Sequence, residues 1–271
     1  MSRIAERFAA LRVRHEGALV VFLTAGDPNP ELSEQLVLTV AEAGADVIEI
    51  GIPFSDPLAD GPTIQASTFR ALQQGMTPIR VLEMVARVRQ QSDIPLVVMT
   101  YFNPVWQMGV ERFAREASEA GVDGVIMTDM PPEEAGEWHP VARRYGLDTI
   151  FLVAPTSTEE RRKLVAQKSS GFVYCVSRTG VTGARQHLPE EVPRMLQAMR
   201  QVTNLPLCVG FGISRPEHVR AVCQMADGAV VGSAVVSLVE HEATCGDTEA
   251  LLRSVRVFVH SLKEATRDVG P

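Results

Sequence analysis

Aromatic residues are scarce, at 6% of 271 residues, and no apolar run is long enough to cross a bilayer as a helix. Cysteine is sparse as well. Cys175, Cys208, Cys223 and Cys245 lie far apart, without the close pairing of a redox or zinc motif, and a reduced, cytoplasmic protein is the simplest reading. An excess of basic residues is missing too: the net charge is -7 with both signs mixed along the chain, which leaves no footprint for a nucleic acid backbone. The first residues lack the unbroken apolar core of a signal peptide, because Arg3, Glu6 and Arg7 interrupt Met1 to Leu11 at helical spacing. No linker or low-complexity tract divides the chain, so residues 1–271 are expected to form a single domain.

What is present is an ordinary globular mixture, 45% hydrophobic and 22% charged, able to bury a sizeable core. Short β-branched runs read as strands buried on both faces: Leu19–Leu23, Val47–Ile50, Leu96–Met99, Val125–Met127, Thr149–Val153, Phe172–Val176, Leu207–Val209 and Ala229–Val231. Amphipathic stretches at helical period separate them, at Leu32–Ala43, Ile79–Arg89, Val110–Ala120, Pro132–Tyr145, Glu159–Gln167, Glu190–Val202 and Pro216–Cys223. A local repeat accompanies the alternation. Ala43-Gly44-Ala45-Asp46, Ala120-Gly121-Val122-Asp123 and Ala226-Asp227-Gly228 each precede a strand, with the glycine expected to close the helix before it. Strand and helix in this order predict an α/β fold, a single-domain (β/α)₈ TIM barrel, with an extra N-terminal helix and a helix inserted near Pro62–Gln73 after the second strand. An open doubly wound sheet is disfavoured by the missing glycine fingerprint after the first strand.

Glu49 is anomalous in this pattern, since a carboxylate in a buried strand costs several kcal/mol unless it is compensated. Alternation places it with Val47 and Gly51 on the face toward the barrel mouth, where barrel enzymes keep their catalytic groups. A structural carboxylate satisfied by nearby donors is the competing reading. The following loop, Pro53 to Pro62, adds Asp56 and Asp60 between prolines, and position alone leaves Asp60 either a helix cap or a catalytic acid. Glycines recur after the last three strands, in Arg178 to Gly183, Gly210 to Ser214, and Gly232-Ser233-Ala234. Main-chain amides on three loops of one rim form a phosphate cradle, the last of them at a helix N-terminus. Tyr174 can be core or pocket wall. The six histidines are scattered, none beside an acid at ligand spacing, so no metal site is expected.

These residues bring a family into view. From Ile4 through Leu262 the chain resembles the tryptophan synthase alpha-subunit family, most specifically over Glu49 to Gln65 and also over Phe22 to Pro28, Ser177 to Gly183, Gly210 to Ile213 and Gly232 to Ala234. The resemblance implies a cofactor-free lyase that splits indole-3-glycerol phosphate into indole and glyceraldehyde 3-phosphate, with Glu49 and Asp60 as catalytic carboxylates. It implies an indole pocket lined by Phe22, Ile126, Thr182 and Phe211, a substrate-site tyrosine, Tyr174, near Glu49, and phosphate contacts from Gly183, Gly212, Gly232 and Ser233. It further implies a loop, Arg178 to Leu188, that closes over substrate, and docking through Pro53, Asp56 and Pro57 onto a beta subunit that carries pyridoxal phosphate, in an α2β2 assembly. Val21, Cys175 and Arg178 depart from the commonest family residues without touching the proposed acid and base. A free-standing lyase would share every active-site residue. A non-catalytic activator of the beta subunit would not need them, and another phosphosugar enzyme, such as an isomerase, would leave the long loop after Glu49 unexplained.

Overall fold

The computed structural model describes residues 2–176, 190–210 and 212–267. Helix α1 (Arg3–Val13) precedes strand β1 (Ala18–Thr24), and α2 (Pro30–Glu42), β2 (Val47–Gly51), α3 (Pro62–Gln73), α4 (Pro78–Arg89) and β3 (Leu96–Thr100) follow. The middle of the chain forms α5 (Phe102–Met108), α6 (Val110–Glu119), β4 (Gly124–Met127), α7 (Trp138–Arg144), β5 (Asp148–Ile150) and β6 (Leu152–Val153). Next come α8 (Glu159–Lys168), β7 (Val173–Val176), α9 (Glu191–Arg200), β8 (Leu207–Gly210), α10 (Pro216–Cys223), β9 (Gly228–Val231), α11 (Ser233–Ala243) and α12 (Thr248–Glu264).

All strand pairs are parallel, in the order β5-β4-β3-β2-β1-β9-β8-β7-β6. The two ends of that order meet at Phe151. β5 pairs with β4 while β6 pairs with β7, and the Tyr174 amide donates to the Phe151 carbonyl at 3.1 Å. The run expected as one strand, Thr149–Val153, is thus a strand interrupted at Phe151, and the ring it closes is a (β/α)₈ TIM barrel.

The helix expected over Pro132–Tyr145 is shorter. Residues 132–137 form turns, as Pro131, Pro132 and Gly136 dispose them to do, and the helix starts only at Trp138. Gly44 and Gly121 close α2 and α6 with φ of 105° and 86°, as expected of helix-ending glycines. Gly228 does something else. It opens β9 inside the barrel, where a Cβ would stand 3.0 Å from Ala18 Cβ and 3.0 Å from Cys208 Sγ, so its hydrogen side chain is a packing requirement.

Strand alternation sorts the apolar residues into two layers. One lies between sheet and helices; the other fills the barrel with Ala18, Val20, Val47, Val97, Ile126, Ile150, Cys208 and Val230. Ile4, Phe8 and Leu11 of α1 join this inner layer and stopper the N-terminal end of the barrel. At the same end the aspartates of the repeat act as clamps. Asp46, Asp123 and Asp227 accept the amides of Leu19, Leu96 and Leu207 at 2.8, 2.8 and 2.7 Å, and donate their own amides to the carbonyls of the same three residues. Each also meets a cation: Lys263 for Asp46, Arg89 and Arg3 for Asp123, and Arg200 for Asp227. With the N-terminal end locked, the opposite rim is left for chemistry.

Candidate active site

At the C-terminal ends of the strands lies a cavity of about 860 Å³ whose wall includes Phe22, Glu49, Asp60, Tyr174, Gly212, Gly232 and Ser233. Glu49 reaches it from β2, where its register neighbours are Phe22 and Val97. The residue is fully buried, and neither carboxyl oxygen has a hydrogen-bond partner. The competing reading of a compensated structural carboxylate therefore finds no compensating donor among the described residues. Burial alone pushes its pKa up to about 8, because the charged form loses water and gains nothing in return. A carboxyl group poised near neutrality can both give and take a proton.

Asp60 stands across the cavity wall on the loop between β2 and α3. Its amide donates to the Pro57 carbonyl at 3.0 Å, the Gln65 side-chain amide donates to its carbonyl at 2.9 Å, and the Tyr101 hydroxyl donates to Oδ2 at 3.0 Å. Burial raises its pKa, and the bond from Tyr101 opposes that rise. Asp60 does not cap the next helix. The N-cap of α3 is Gly61, with no side-chain hydrogen bond.

Two glycines make space for the aromatic walls. A Cβ at Gly51 would lie 2.6 Å from Phe22 Cζ, and one at Gly210 would lie 2.6 Å from the Tyr174 ring. Both rings therefore lean over strand positions that carry no side chain. Tyr174 is core and pocket wall at once: it packs on the inner cluster and lines the cavity, and burial, with the nearby Glu49 charge, holds its phenol protonated. Ile126 is fully buried in the inner cluster rather than on the cavity wall, where its register partner Met99 stands instead.

The far side of the cavity suits an anion. Gly212 has φ +64°, a conformation that any Cβ would strain. Gly232 is the N-cap of α11 and supplies no capping side chain, so the first-turn amides are left uncapped at the positive end of the helix dipole, and Ser233 and Ala234 line the cavity. Thr182, Gly183 and the loop from Arg178 to Leu188 lie outside the described residues, as does Phe211.

On the rim, Pro53 is buried, Pro57 half-buried and Asp56 exposed, where Asp56 accepts the Ser55 hydroxyl at 2.6 Å. Next in the chain, Leu58 is 92% exposed, a large apolar group left in water. Sequence reasoning gave no site role to Tyr101, Met99 or Ile64. The one signal for Tyr101 and Met99 was their place at the C-terminal end of a barrel strand. Among the described residues, no group of three or more His, Cys, Asp or Glu side chains could hold a metal ion.

A model of the tryptophan synthase alpha chain family matches residues 8–267. The tryptophan synthase alpha chain of Geobacter sulfurreducens is 51% identical over 265 residues, covering 98% of this chain and 99% of that one. That of Geotalea uraniireducens is 52% identical over 270 residues, covering 100% of both. Among solved structures, tryptophan synthase subunit alpha of Legionella pneumophila superposes with a TM-score of 0.90 at 36% identity, covering 98% of each chain. A chain of the aminoacrylate-bound tryptophan synthase of M. tuberculosis gives 0.88 at 34% identity, covering 98% of this chain and 100% of that one.

Proposed function

Because the chain belongs to the tryptophan synthase alpha chain family, we propose that Glu49 and Asp60 carry its reaction. That reaction is a carbon–carbon lyase step, the cleavage of indole-3-glycerol phosphate to indole and D-glyceraldehyde 3-phosphate, and its product serves tryptophan synthesis. In the step, the bond between indole C3 and the glycerol chain breaks. C3 gains a proton, and the adjacent side-chain hydroxyl loses one as it becomes the aldehyde. Glu49, protonated below a pKa of about 8, gives the first proton and then takes the second. Protonation at C3 leaves positive charge on the ring nitrogen, which Asp60 stabilises by accepting the N–H.

The observation that carries this reading is the pair of unpartnered carboxyl oxygens on Glu49 inside the cavity. Phe22 and Tyr174 flank the indole, with Ile126 behind them and Thr182 and Phe211 completing the pocket. Gly212, Gly232 and Ser233, with Gly183, hold the phosphate through main-chain amides. The whole chain, 1–271, acts as one domain, in the cytoplasm.

The family implies a beta-subunit partner. The assembly proposed is α2β2, with pyridoxal phosphate in the beta subunit and no cofactor in this chain. Pro53, Asp56 and Pro57 form the docking loop, a reading supported by the exposed Leu58 that follows them. The test is indole release from indole-3-glycerol phosphate by the purified chain, alone and with a beta subunit added. Release at sub-saturating substrate that rises on adding the beta subunit is expected if the partner binds the substrate-loaded form better, since the partner then tightens substrate binding by the same factor. No release in either case would overturn the assignment of the site, and release indifferent to a saturating beta subunit would overturn the docking loop.

A further inference from the structure

Tyr101 stands directly after β3, at the cap position of α5, and is 6% exposed. Its hydroxyl makes two bonds to consecutive residues of the loop that bears Asp60. It accepts the Ala59 amide at 2.9 Å and donates to Asp60 Oδ2 at 3.0 Å. Its ring rests against Phe54, with centroids 5.2 Å apart and planes inclined at 37°, so one side chain grips the loop near its start and at its end.

The direction of these bonds follows from proton count. A backbone amide can only donate, so the phenol oxygen takes that proton with a lone pair and its own hydrogen is left for the carboxylate. Rotating the tyrosine away would break both bonds together. Asp60 is thereby tied at Oδ2, and Oδ1 has no hydrogen-bond partner among the described residues.

We propose that Tyr101 is a positioning residue for the lyase reaction: it fixes Asp60 through Oδ2 so that Oδ1 is presented to the ring N–H of bound substrate. This rests on the reading of Asp60 given above. The bond also favours the charged form of Asp60 against burial, and burial pushes the Tyr101 phenol itself up to about 12, so it remains a donor across the working pH range.

Tyr101→Phe keeps the ring and its contact with Phe54 and removes only the hydroxyl. Its kcat should fall about tenfold with KM nearly unchanged, as expected for losing one bond to a charged group that matters as charge develops. The acid limb of its kcat/KM profile should move to higher pH by about one unit, because Asp60 without its donor is harder to ionise. In an Asp60→Asn background, Tyr101→Phe should add little, since both changes remove the same interaction. An unmoved acid limb, or effects that multiply in the double variant, would overturn the proposal while leaving Asp60 in place. Wild-type turnover in Asp60→Asn alone would instead remove the role of Asp60, and that of Tyr101 with it.

Discussion

Glu49 lies directly opposite Phe22 in the register of β2 and β1. Its neighbour across the strands is thus an aromatic ring rather than a hydrogen-bond donor, and the other side offers Val97. A carboxyl group in such company is retained at the expense of stability, which gives the first prediction.

The native state holds the Glu49 proton up to about pH 8, whereas the unfolded chain releases it near the ordinary 4.5. Between those values the folded protein binds more protons, so its stability falls as pH rises, by up to on the order of 5 kcal/mol from this one group. Glu49→Gln should therefore abolish indole release and yet fold as well as the wild type at about pH 5, and resist urea better at about pH 9. Equal urea midpoints at the higher pH, or substantial turnover, would show that Glu49 is neither destabilised nor the proton carrier.

Asp60→Asn should be less damaging than loss of Glu49. The amide oxygen can still accept the ring N–H but brings no charge, and a rate loss of roughly 10²–10³ is expected, the size seen when one electrostatic stabiliser is removed. Single-turnover indole release measures it directly, free of product dissociation. A rate equal to wild type would leave Asp60 as an ordinary loop acid.

For phosphate recognition the two loops differ in what they tolerate. Gly212 has a positive φ, so even Gly212→Ala strains the backbone and should raise KM. At Gly232 a Cβ would meet Phe22 at an ordinary 3.4 Å. Gly232→Ala should then leave the unliganded fold intact and act only on substrate, raising KM with little change in urea midpoint. A Gly232 variant with unaltered KM would place the phosphate elsewhere.

Asp46 is 1% exposed and accepts both the Leu19 amide and Lys263 Nζ, the latter at 2.9 Å. Asp46→Ala strands the Leu19 amide and leaves the nearly buried Lys263 ammonium with Glu16 alone, at 3.2 Å, and should cost about 1–3 kcal/mol. Adding Lys263→Met should restore part of that loss, as chemical denaturation of the single and double variants would reveal. A neutral single variant would mean that the clamp carries no net stability.

The barrel was legible because burial on both faces of each strand leaves a contiguous apolar run, and Glu49 was legible because it breaks one. What stayed hidden depends on partners distant in sequence. The repeat at Asp46, Asp123 and Asp227 was visible, but the aspartates' role was not, since Lys263 lies 217 residues from Asp46. Tyr101 is hidden for the same reason: its 41-residue separation from Asp60 is bridged only when β2 and β3 lie side by side. Helix α5, with Pro104 inside seven residues, gives almost no helical period. Helix α12 had a readable signal, Asp247 as cap followed by Leu251, Val255, Val259 and Leu262 on one face, but it falls after the eighth strand-helix unit, beyond the pattern that defined the barrel.

The aspartate clamps also bear on the order in which the ring assembles. Three of them join strand starts only 27, 27 and 20 residues apart, loops whose closure entropy is small. The fourth fastening, Lys263 to Asp46, spans 217 residues and brings α12 back to the start of β2. Local βαβ pieces should form early, each held by its own aspartate, and the circle should shut late, when α12 docks. Pulse-labelled hydrogen exchange during refolding would then protect the Leu96 and Leu207 amides before those of α12, and simultaneous protection would show that nucleation spans the whole ring.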